Sequence, residues 1–416
     1  MAGLTHTDIA SVIKTVYAGG KVPLEVMYKG SPEMALFPKN TEWAGDGTLF
    51  PLMWGNPQGR SAVIGTAITN KSASKWAGFK VTAVNDYAVW SVDGRVIAET
   101  RKDSGSFVRH LKAEMDGSMR QLKRSLTHAL PRNGGGALGR LAAASAGGAS
   151  ATITLANKYD SVFFEVGQVL KGSATDGTSG SVRAGSATIS AIDRAAGTLT
   201  TAGGNWATQI TGLTESDYLF VEGDFGVKLV GLDAWIPASA PGATAFYGVT
   251  RSADPTRLGG VRLASTSSSR PIDENAIDLL DAVTSEGGEP DVIFVHNRQF
   301  SNLEKRLSTR VQYGERSVDA GGVKLGFKTI QINGPKGVVD VVGSNTIQLD
   351  TMWALQLDTW QLGSMGELFQ MLDDDGLPYL RMVDTDAIEG RLVSRPGLAC
   401  LAPGFNGRCT LGTTGL

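Results

Sequence analysis

Apolar residues recur every three or four positions along one segment of the chain, which predicts a long amphipathic helix. The stripe comprises Phe107, Leu111, Met115, Met119, Leu122, Leu126 and Leu130. Pro131 follows it, and the run Asn133-Gly134-Gly135-Gly136 marks the exit of the chain. At 1.5 Å per residue such a helix is about 40 Å long, the width of a small domain. We interpret the opposite face as solvated, because it carries Lys112, Asp116, Arg120, Lys123 and Arg124.

The segment Val22–Lys80 has no sustained helical period and is punctuated by proline and glycine. It nevertheless carries Trp43, Phe50, Met53 and Trp54, and aromatic residues are scarce in disordered chains. These residues need burial, yet the segment has too little periodicity to build a core of its own. It is therefore predicted to be an extended arm or loop that finds its contacts on another chain, with no helix in it.

A short helix is predicted at the N-terminus. Thr5 is a suitable cap, Ile9, Val12, Ile13 and Val16 form one stripe, and Gly19-Gly20 ends it. Strands are predicted at Phe79–Val84 and Tyr87–Val92, before the long helix, from their alternating β-rich composition.

The composition changes after the long helix, at the linker-like run Leu141–Gly148. From Ala151 to about Phe225 the chain alternates short strand patterns with turn signals. The clearest strands are Val162–Val166, Ala187–Ile192 and Thr198–Thr201. We interpret this part as a small all-β module that is inserted into a larger domain and whose two ends lie close together.

The last third mixes helix and strand patterns. A helix is predicted at Pro271–Glu286, a buried strand at Asp291–Val295, and a second helix capped by Asn297. Further strands are predicted at Val323–Ile332, Val338–Val342, Trp353–Leu357 and Arg391–Ser394. The whole is predicted to be α+β with an inserted β module.

Composition favours a surface covered by neighbouring molecules. The 416 residues carry a net charge of −2, which argues against a protein that binds nucleic acid over its whole surface. Charged residues make up 19%, below the roughly 25% of typical soluble domains, and the 53 glycines are well above the usual share. No apolar run approaches the length of a membrane span, and the N-terminus does not resemble a signal peptide.

The search for chemistry predicts no catalytic, cofactor-binding or metal-ligating residue. His6, His110, His128 and His296 form no known ligand motif, and Cys400 and Cys409 are too few for a disulfide framework. Gly134–Gly139 matches G-x-G-x-x-G but follows a helix, whereas a dinucleotide site requires a preceding strand. Asp373-Asp374-Asp375-Gly376 begins like a calcium loop, but Leu377 and Pro378 stand where ligands are needed, which indicates an acidic turn.

The order of these features resembles the major capsid protein of tailed bacteriophages. The segment Gly105–Met115 resembles the start of that family's spine helix, and Gly231–Pro237 resembles the return after an insertion. Gly287–Asn297 is similar to a strand-into-helix segment of the family, and Gly376–Leu380 to its closing part. The resemblance covers most of the chain except about Ser150–Asp224, where some members carry a surface domain.

The resemblance implies a division of the chain into six parts. They are an N-terminal arm (1–30), an extended loop with the start of the peripheral domain (31–99), the spine helix (100–149), an inserted β domain (150–226), an axial domain (227–350) and a return to the peripheral domain (351–416). Some members of the family join subunits through Lys–Asn links, and Lys39, Lys71 and Lys75 lie in the matching region.

The function that the resemblance implies is structural and not enzymatic. Many copies are expected to form hexamers and pentamers of an icosahedral virion capsid, assembled in the host cytoplasm around double-stranded DNA that is contained and not read. Because Met1 leads directly into the arm, the resemblance implies a separate scaffolding protein, besides a portal and a decoration protein. Two alternatives stay open at this point: an encapsulin-type compartment, and a carbohydrate-binding or hydrolytic protein that uses the β module.

Overall fold

The computed structural model describes residues 31–95, 104–143, 150–265, 267, 270–307, 312–320, 323–373 and 380–412. For residues 104–111, 113, 312, 317–320 and 323–326 it describes the backbone alone. The predicted N-terminal helix, the second half of the linker-like run, and Asp374–Gly376 of the acidic turn lie outside the described residues.

The segment after residue 30 contains a two-stranded ribbon, with one short helix before it and a second short helix between its two strands. Its elements are α1 (Pro32–Leu36), β1 (Lys39–Asn40), β2 (Thr48–Gly55), α2 (Ile64–Thr69), β3 (Lys75–Val81) and β4 (Asp86–Asp93). The ribbon consists of β2 and β3, which pair antiparallel. The expectation that this segment contains no helix is wrong at α1 and α2: Pro32 occupies the first turn of α1, where proline is tolerated, and the short α2 accommodates Gly65.

The long helix α3 spans Ser104–Ala129 and confirms the helical spacing of the apolar residues. Met115, Met119, Leu122, Leu126 and Leu130 are all buried, whereas the side chains of Phe107 and Leu111 lie outside the described residues. The five buried residues share one core with the alternate residues Ala88, Trp90 and Val92 of β4. This burial stabilises a helix that would otherwise be marginal in water.

The inserted module is a six-stranded antiparallel β-barrel. Its elements are β5 (Ala137–Arg140), β6 (Thr152–Thr154), a 3-10 helix (Lys158–Phe163), β7 (Val169–Ser173), β8 (Ala187–Asp193), β9 (Thr198–Thr201), α4 (Trp206–Gln209) and β10 (Tyr218–Val221). The strand order is β5-β10-β7-β8-β9-β6. A bridge between Leu141 and Leu155 joins the two outer strands and closes the barrel around its own core.

The barrel corrects one expectation about its strands. Its first strand, β5, lies before residue 150 and pairs with β10. The predicted strand Val162–Val166 is wrong, because the chain there completes a 3-10 helix. Asn157 caps that helix by accepting a hydrogen bond from the Tyr159 amide, and Ser161 donates to the Lys158 carbonyl. Such local side-chain bonds compete with strand pairing.

The chain after the barrel builds a seven-stranded mixed sheet. Its elements to residue 355 are α5 (Leu232–Trp235), β11 (Ala245–Phe246), β12 (Val249–Thr250), a 3-10 helix (Arg251–Ala253), β13 (Val261–Ala264), α6 (Ile272–Ser285), β14 (Val292–His296), α7 (Asn297–Leu307), β15 (Gln312–Ala320), β16 (Val323–Gly334), β17 (Gly337–Ser344) and β18 (Thr351–Leu355). Every residue of the central strand β14 is buried. Ile293 and Val295 share a core with α6 and α7, whereas Val292 and Phe294 belong to the core that holds α3.

The C-terminal part contributes strands to three sheets: one with β1, one with β4 and the seven-stranded sheet. Its elements are a 3-10 helix (Leu357–Thr359), β19 (Trp360–Ser364), β20 (Gln370–Met371), β21 (Leu380–Arg381), β22 (Ala387–Ser394), β23 (Pro396–Cys400), a 3-10 helix (Pro403–Phe405) and β24 (Gly407–Thr410). Strand β22 pairs with β4 along its whole length. Strands β18 and β24 belong to the seven-stranded sheet.

Candidate assembly interface

The β2–β3 ribbon has one face that packs on the subunit and one that does not. Met53 lies directly opposite Trp76 on the outer face, and their exposed fractions are 46% and 65%. Leu49, four residues before Met53 on the same face of β2, is 63% exposed. Gly78 lacks a side chain beneath Leu49, and a Cβ there would meet the Leu49 methyl group. We call Leu49, Pro51, Met53 and Trp76 the outer ribbon face.

The inner face anchors the ribbon to its own subunit. Phe50 and Phe79 lie opposite each other and are buried. The ring of Phe50 lies 5.6 Å from that of Trp43, and the ring of Phe79 lies 5.1 Å from that of Trp235. Trp54 is partly buried against the same core. The expectation that Trp43 and Phe50 require a neighbouring chain for burial is therefore wrong.

Polar contacts fix the ribbon near both of its ends. The Lys80 amide donates to the Tyr247 carbonyl at 3.1 Å, and the Lys80 ammonium pairs with Asp46 at 2.8 Å. The Arg257 guanidinium donates to the Trp54 carbonyl at 3.0 Å. These hydrogen bonds to the backbone of β2 and β3 hold the inner face against the rest of the subunit. The outer face therefore has a defined orientation.

The tip of the ribbon is also apolar and unburied. Helix α2 contains no buried residue, and Val63, Ile64 and Ile68 are between 58% and 76% exposed. The stretch 47–85 contains four cations, Arg60, Lys71, Lys75 and Lys80, and no acidic residue. The tip therefore combines apolar surface with positive charge, a pairing suited to an apolar acceptor surface with an acidic rim.

The spine helix and the barrel meet through charged and aromatic contacts. Arg124 pairs with Glu165, and Arg132 lies 3.7 Å from Asp160. The His128 ring packs against Phe163, with 4.2 Å between the centroids. Burial and the nearby Arg132, Lys228 and Arg124 lower the pKa of His128, so the imidazole is neutral at pH 7. These contacts attach the barrel firmly to α3.

The remaining candidates from the sequence lie apart from one another. His296 is buried at the end of β14, and burial together with Arg132 lowers its pKa to about 4. Cys400 and Cys409 are buried free thiols, and burial raises the pKa of Cys409 to about 11. Among the described residues, no group of three or more His, Cys, Asp or Glu side chains is arranged to hold a metal ion. Nor does any helix in this part of the chain have the length and hydropathy to span a membrane.

Sequence reasoning identified the segment of the interface but missed most of its exposed residues. Trp76, Leu49, Ile64 and Ile68 were not singled out. The alternation along Thr48–Trp54 was the available signal for Leu49, because residues two apart in a strand share a face. It could not tell which face is exposed, since both faces of β2 carry large apolar residues.

Comparison with known proteins connects this architecture with capsids. The family model of the SU10 major capsid protein matches residues 108–408. No curated protein matches the sequence. The cyanophage A-1(L) capsid asymmetric unit resembles the structure with a TM-score of 0.52 and 11% identity, covering 91% of this chain and 92% of that chain.

Two weaker similarities have TM-scores below 0.5. The holo-SrpI encapsulin complex from Synechococcus elongatus PCC 7942 has a TM-score of 0.44 and 9% identity, covering 96% of this chain and 94% of that one. A chain of Mycobacterium phage Adephagia has a TM-score of 0.42 and 12% identity, covering 99% and 98%.

Proposed function

Because the chain belongs to the SU10 major capsid protein family, we propose that the β2–β3 ribbon is the element that joins each subunit to the next. The protein is a structural component of the virion capsid, and membership of that family implies a non-enzymatic role. What the family does not specify is which surface of this chain makes the contact.

The outer ribbon face is the observation that carries the proposal. Large apolar side chains that protrude together are uncommon on a monomer and mark an interaction site. Trp76 and Met53 form a cross-strand pair on this face, and tryptophan is prominent among residues that dominate binding energy. Since the inner face is fixed within the subunit, the neighbour contacts a preformed surface and little conformational entropy is lost.

The charge of the ribbon gives the contact an electrostatic component. The cations Arg60, Lys71 and Lys75 surround the apolar tip. We expect the acceptor surface on the neighbouring subunit to be apolar with an acidic rim, and assembly to slow as ionic strength rises.

Repeated use of this contact builds the shell. The subunits form hexamers and pentamers of an icosahedral lattice, in which many modest contacts add up through multivalency. The shell encloses double-stranded DNA without reading its sequence, which is consistent with a net charge of −2. A separate scaffolding protein, a portal and a decoration protein complete the particle.

A photo-cross-linking amino acid in place of Met53 tests the proposal. In assembled shells, checked by negative-stain electron microscopy, it should link two subunits, and in dilute free subunits it should not. The same probe in place of Phe50, on the inner face, should react only within its own subunit. Equal intersubunit yields from both positions, or none from position 53, would contradict the assignment.

The contents of the shell separate the phage capsid from an encapsulin-type compartment. Shells purified from the native source should contain double-stranded DNA that is protected from nuclease. Shells filled with an enzyme and free of DNA would favour the compartment.

A further inference from the structure

A cavity of about 290 Å³ lies between α6 and α7, on the side of the seven-stranded sheet that these helices cover, and both polar and apolar side chains line it. The first turn of α6 forms one wall, and the outer half of α7 forms the other. The lining residues used below are Arg270, Asn275, Gln299, Lys305 and Arg306. No residue that has been given a role in assembly lines this cavity.

The charged side chains that line the cavity are all cations, among the residues that the structure describes. Arg270 pairs with Glu274 and Asp278, and Arg306 pairs with Asp273. Each guanidinium carries five N–H donors, so these pairs orient the two side chains and leave donors unused. Lys305, exposed at the rim, has no ion-pair partner in the described part of the chain.

The wall formed by α6 presents backbone donors. The N-cap residue is Pro271, and no side chain caps this end of the helix. The amides of the first turn therefore lack intrahelical partners, and the helix dipole adds partial positive charge there, whereas the two carboxylates of that turn, Asp273 and Glu274, are engaged by Arg306 and Arg270. Helix N-termini of this kind bind anions.

Asn275 is the independent indication of a ligand. It is 3% exposed and shares the buried stripe of α6 with Ile272 and Leu279, which faces α7 across the cavity. Its carboxamide has no hydrogen-bond partner among the described residues. Gln299, on the opposite wall, is satisfied, because its amide donates to the Leu349 carbonyl at 3.2 Å. Buried polar groups are almost always paired, and the Asn275 carboxamide borders the cavity, so its partner comes from whatever occupies the cavity.

We propose that this cavity binds a phosphate dianion, either free or as the monoester of a small molecule. Lys305, Arg270 and Arg306 supply charge at the rim, and the α6 amides and Asn275 donate from inside. Donors that converge from both walls suit a tetrahedral oxyanion with several acceptor oxygens better than a halide. The bound anion bridges α6 and α7 and stiffens this corner of the sheet.

Calorimetric titration of the full-length subunit with inorganic phosphate, at constant ionic strength set with chloride, tests the site. Phosphate should bind with one site per chain. Lys305→Gln should weaken the binding at least tenfold and leave the circular dichroism unchanged, because Lys305 is exposed. Asn275→Leu should also weaken it, and Lys336→Gln, which removes a cation paired with Glu289 elsewhere on the surface, should have no effect.

Further ligands identify the source of the phosphate. Adenosine monophosphate that binds more tightly than phosphate would assign a monoester, and equal affinities would assign the free ion. Absence of binding above the chloride background would overturn the proposal, as would a phosphate affinity that Lys305→Gln leaves unchanged. Binding of a DNA duplex that phosphate does not displace would also overturn it and assign the surface to nucleic acid.

Discussion

The Ser344 hydroxyl donates a hydrogen bond to the Glu33 carboxyl group at 2.9 Å, although the two residues are 311 positions apart. Thr346 donates to the same oxygen. The other oxygen of Glu33 is buried without a partner among the described residues. Burial raises the pKa of Glu33, which outweighs the opposing effects of the two hydroxyl groups and of Lys123. A buried carboxyl group thus connects α1 to the end of β17.

Glu33 should make stability depend on pH. Its pKa is above 4.5 in the folded state, so the folded protein binds this proton more tightly than the unfolded chain does. The stabilisation is complete below pH 4.5 and is lost as pH rises through the folded pKa. Glu33→Gln removes the ionisation and should raise the free energy of unfolding at pH 8 by about 1–3 kcal/mol, because a buried neutral amide costs less desolvation than a buried carboxylate. Urea unfolding between pH 5 and 9 measures it.

The exposed Glu289 provides the control for this titration. Glu289→Gln, which removes an exposed carboxylate, should leave the decline of stability with pH as it is in the wild type. A Glu33→Gln profile that declined with pH as steeply as the wild type would show that another group is responsible.

The secondary structure that the sequence predicted well has strong local causes. The α3 helix was predictable because one side buries Met115, Met119 and Leu122 at helical spacing. The strand β14 was predictable because its first four residues, Val292–Val295, form a continuous apolar run. In contrast, Val162–Val166 has the composition of a strand, but the Asn157 cap redirects its first residues into a 3-10 helix.

The parts that were not predictable depend on partners far away in sequence. Closure of the barrel requires the Leu141–Leu155 bridge and the pairing of β5 with β10, which a local pattern does not encode. The same holds for the interface, because the burial of Phe50 and the exposure of Leu49 follow from what lies beneath the ribbon. The cavity between α6 and α7 exists because these two helices approach each other, and no local pattern in the sequence predicts that approach.

Two glycines should respond to alanine in opposite directions. The Trp43 indole covers Gly363, and a Cβ at that position would overlap the ring. Gly363→Ala should therefore destabilise the subunit by about 1–3 kcal/mol through overpacking. Gly117 lies in α3 with no atom within 4 Å of an added Cβ. Gly117→Ala should stabilise by about 0.5–1 kcal/mol, since glycine weakens a helix interior. Chemical denaturation compares them, and equal effects would contradict the packing of Trp43.

The barrel should fold in isolation only when its first strand is included. The chain enters and leaves through adjacent segments, since the Lys228 amide donates to the Gly134 carbonyl at 3.2 Å. A fragment covering 133–228 should give a dispersed amide NMR spectrum and a buried Trp206 fluorescence maximum. A fragment covering 151–224 lacks β5 and should be unfolded or aggregated. A well-dispersed spectrum from the shorter fragment would show that closure by β5 is dispensable.

The buried face of α3 should not tolerate charge. Leu122 is 2% exposed, and Leu122→Asp places an unpaired carboxylate in the main core at a cost of several kcal/mol. Soluble folded subunits should be lost, as measured by soluble yield and circular dichroism. Gln121→Asp, one position earlier on the exposed face, should behave like the wild type. Normal shells from Leu122→Asp would mean that this face of the helix is not in the core.

Trp76 and Trp43 should separate assembly from folding. Trp76 is 65% exposed on the outer ribbon face, whereas Trp43 is 6% exposed inside the subunit. Trp76→Ala should leave the free energy of unfolding of the free subunit within about 0.5 kcal/mol of the wild type, as is usual for surface substitutions.

Trp76→Ala should weaken shell formation, because an exposed aromatic anchor contributes about 1–2 kcal/mol to each contact that buries it. Light scattering and electron microscopy would show a higher critical concentration for assembly. Trp43→Ala should instead destabilise the subunit itself by about 3–5 kcal/mol. Because every subunit of the shell makes this contact, the binding free energy that Trp76→Ala removes from one contact is lost at all of them. If Trp76→Ala assembled at the wild-type concentration, the outer ribbon face would not be the joining surface.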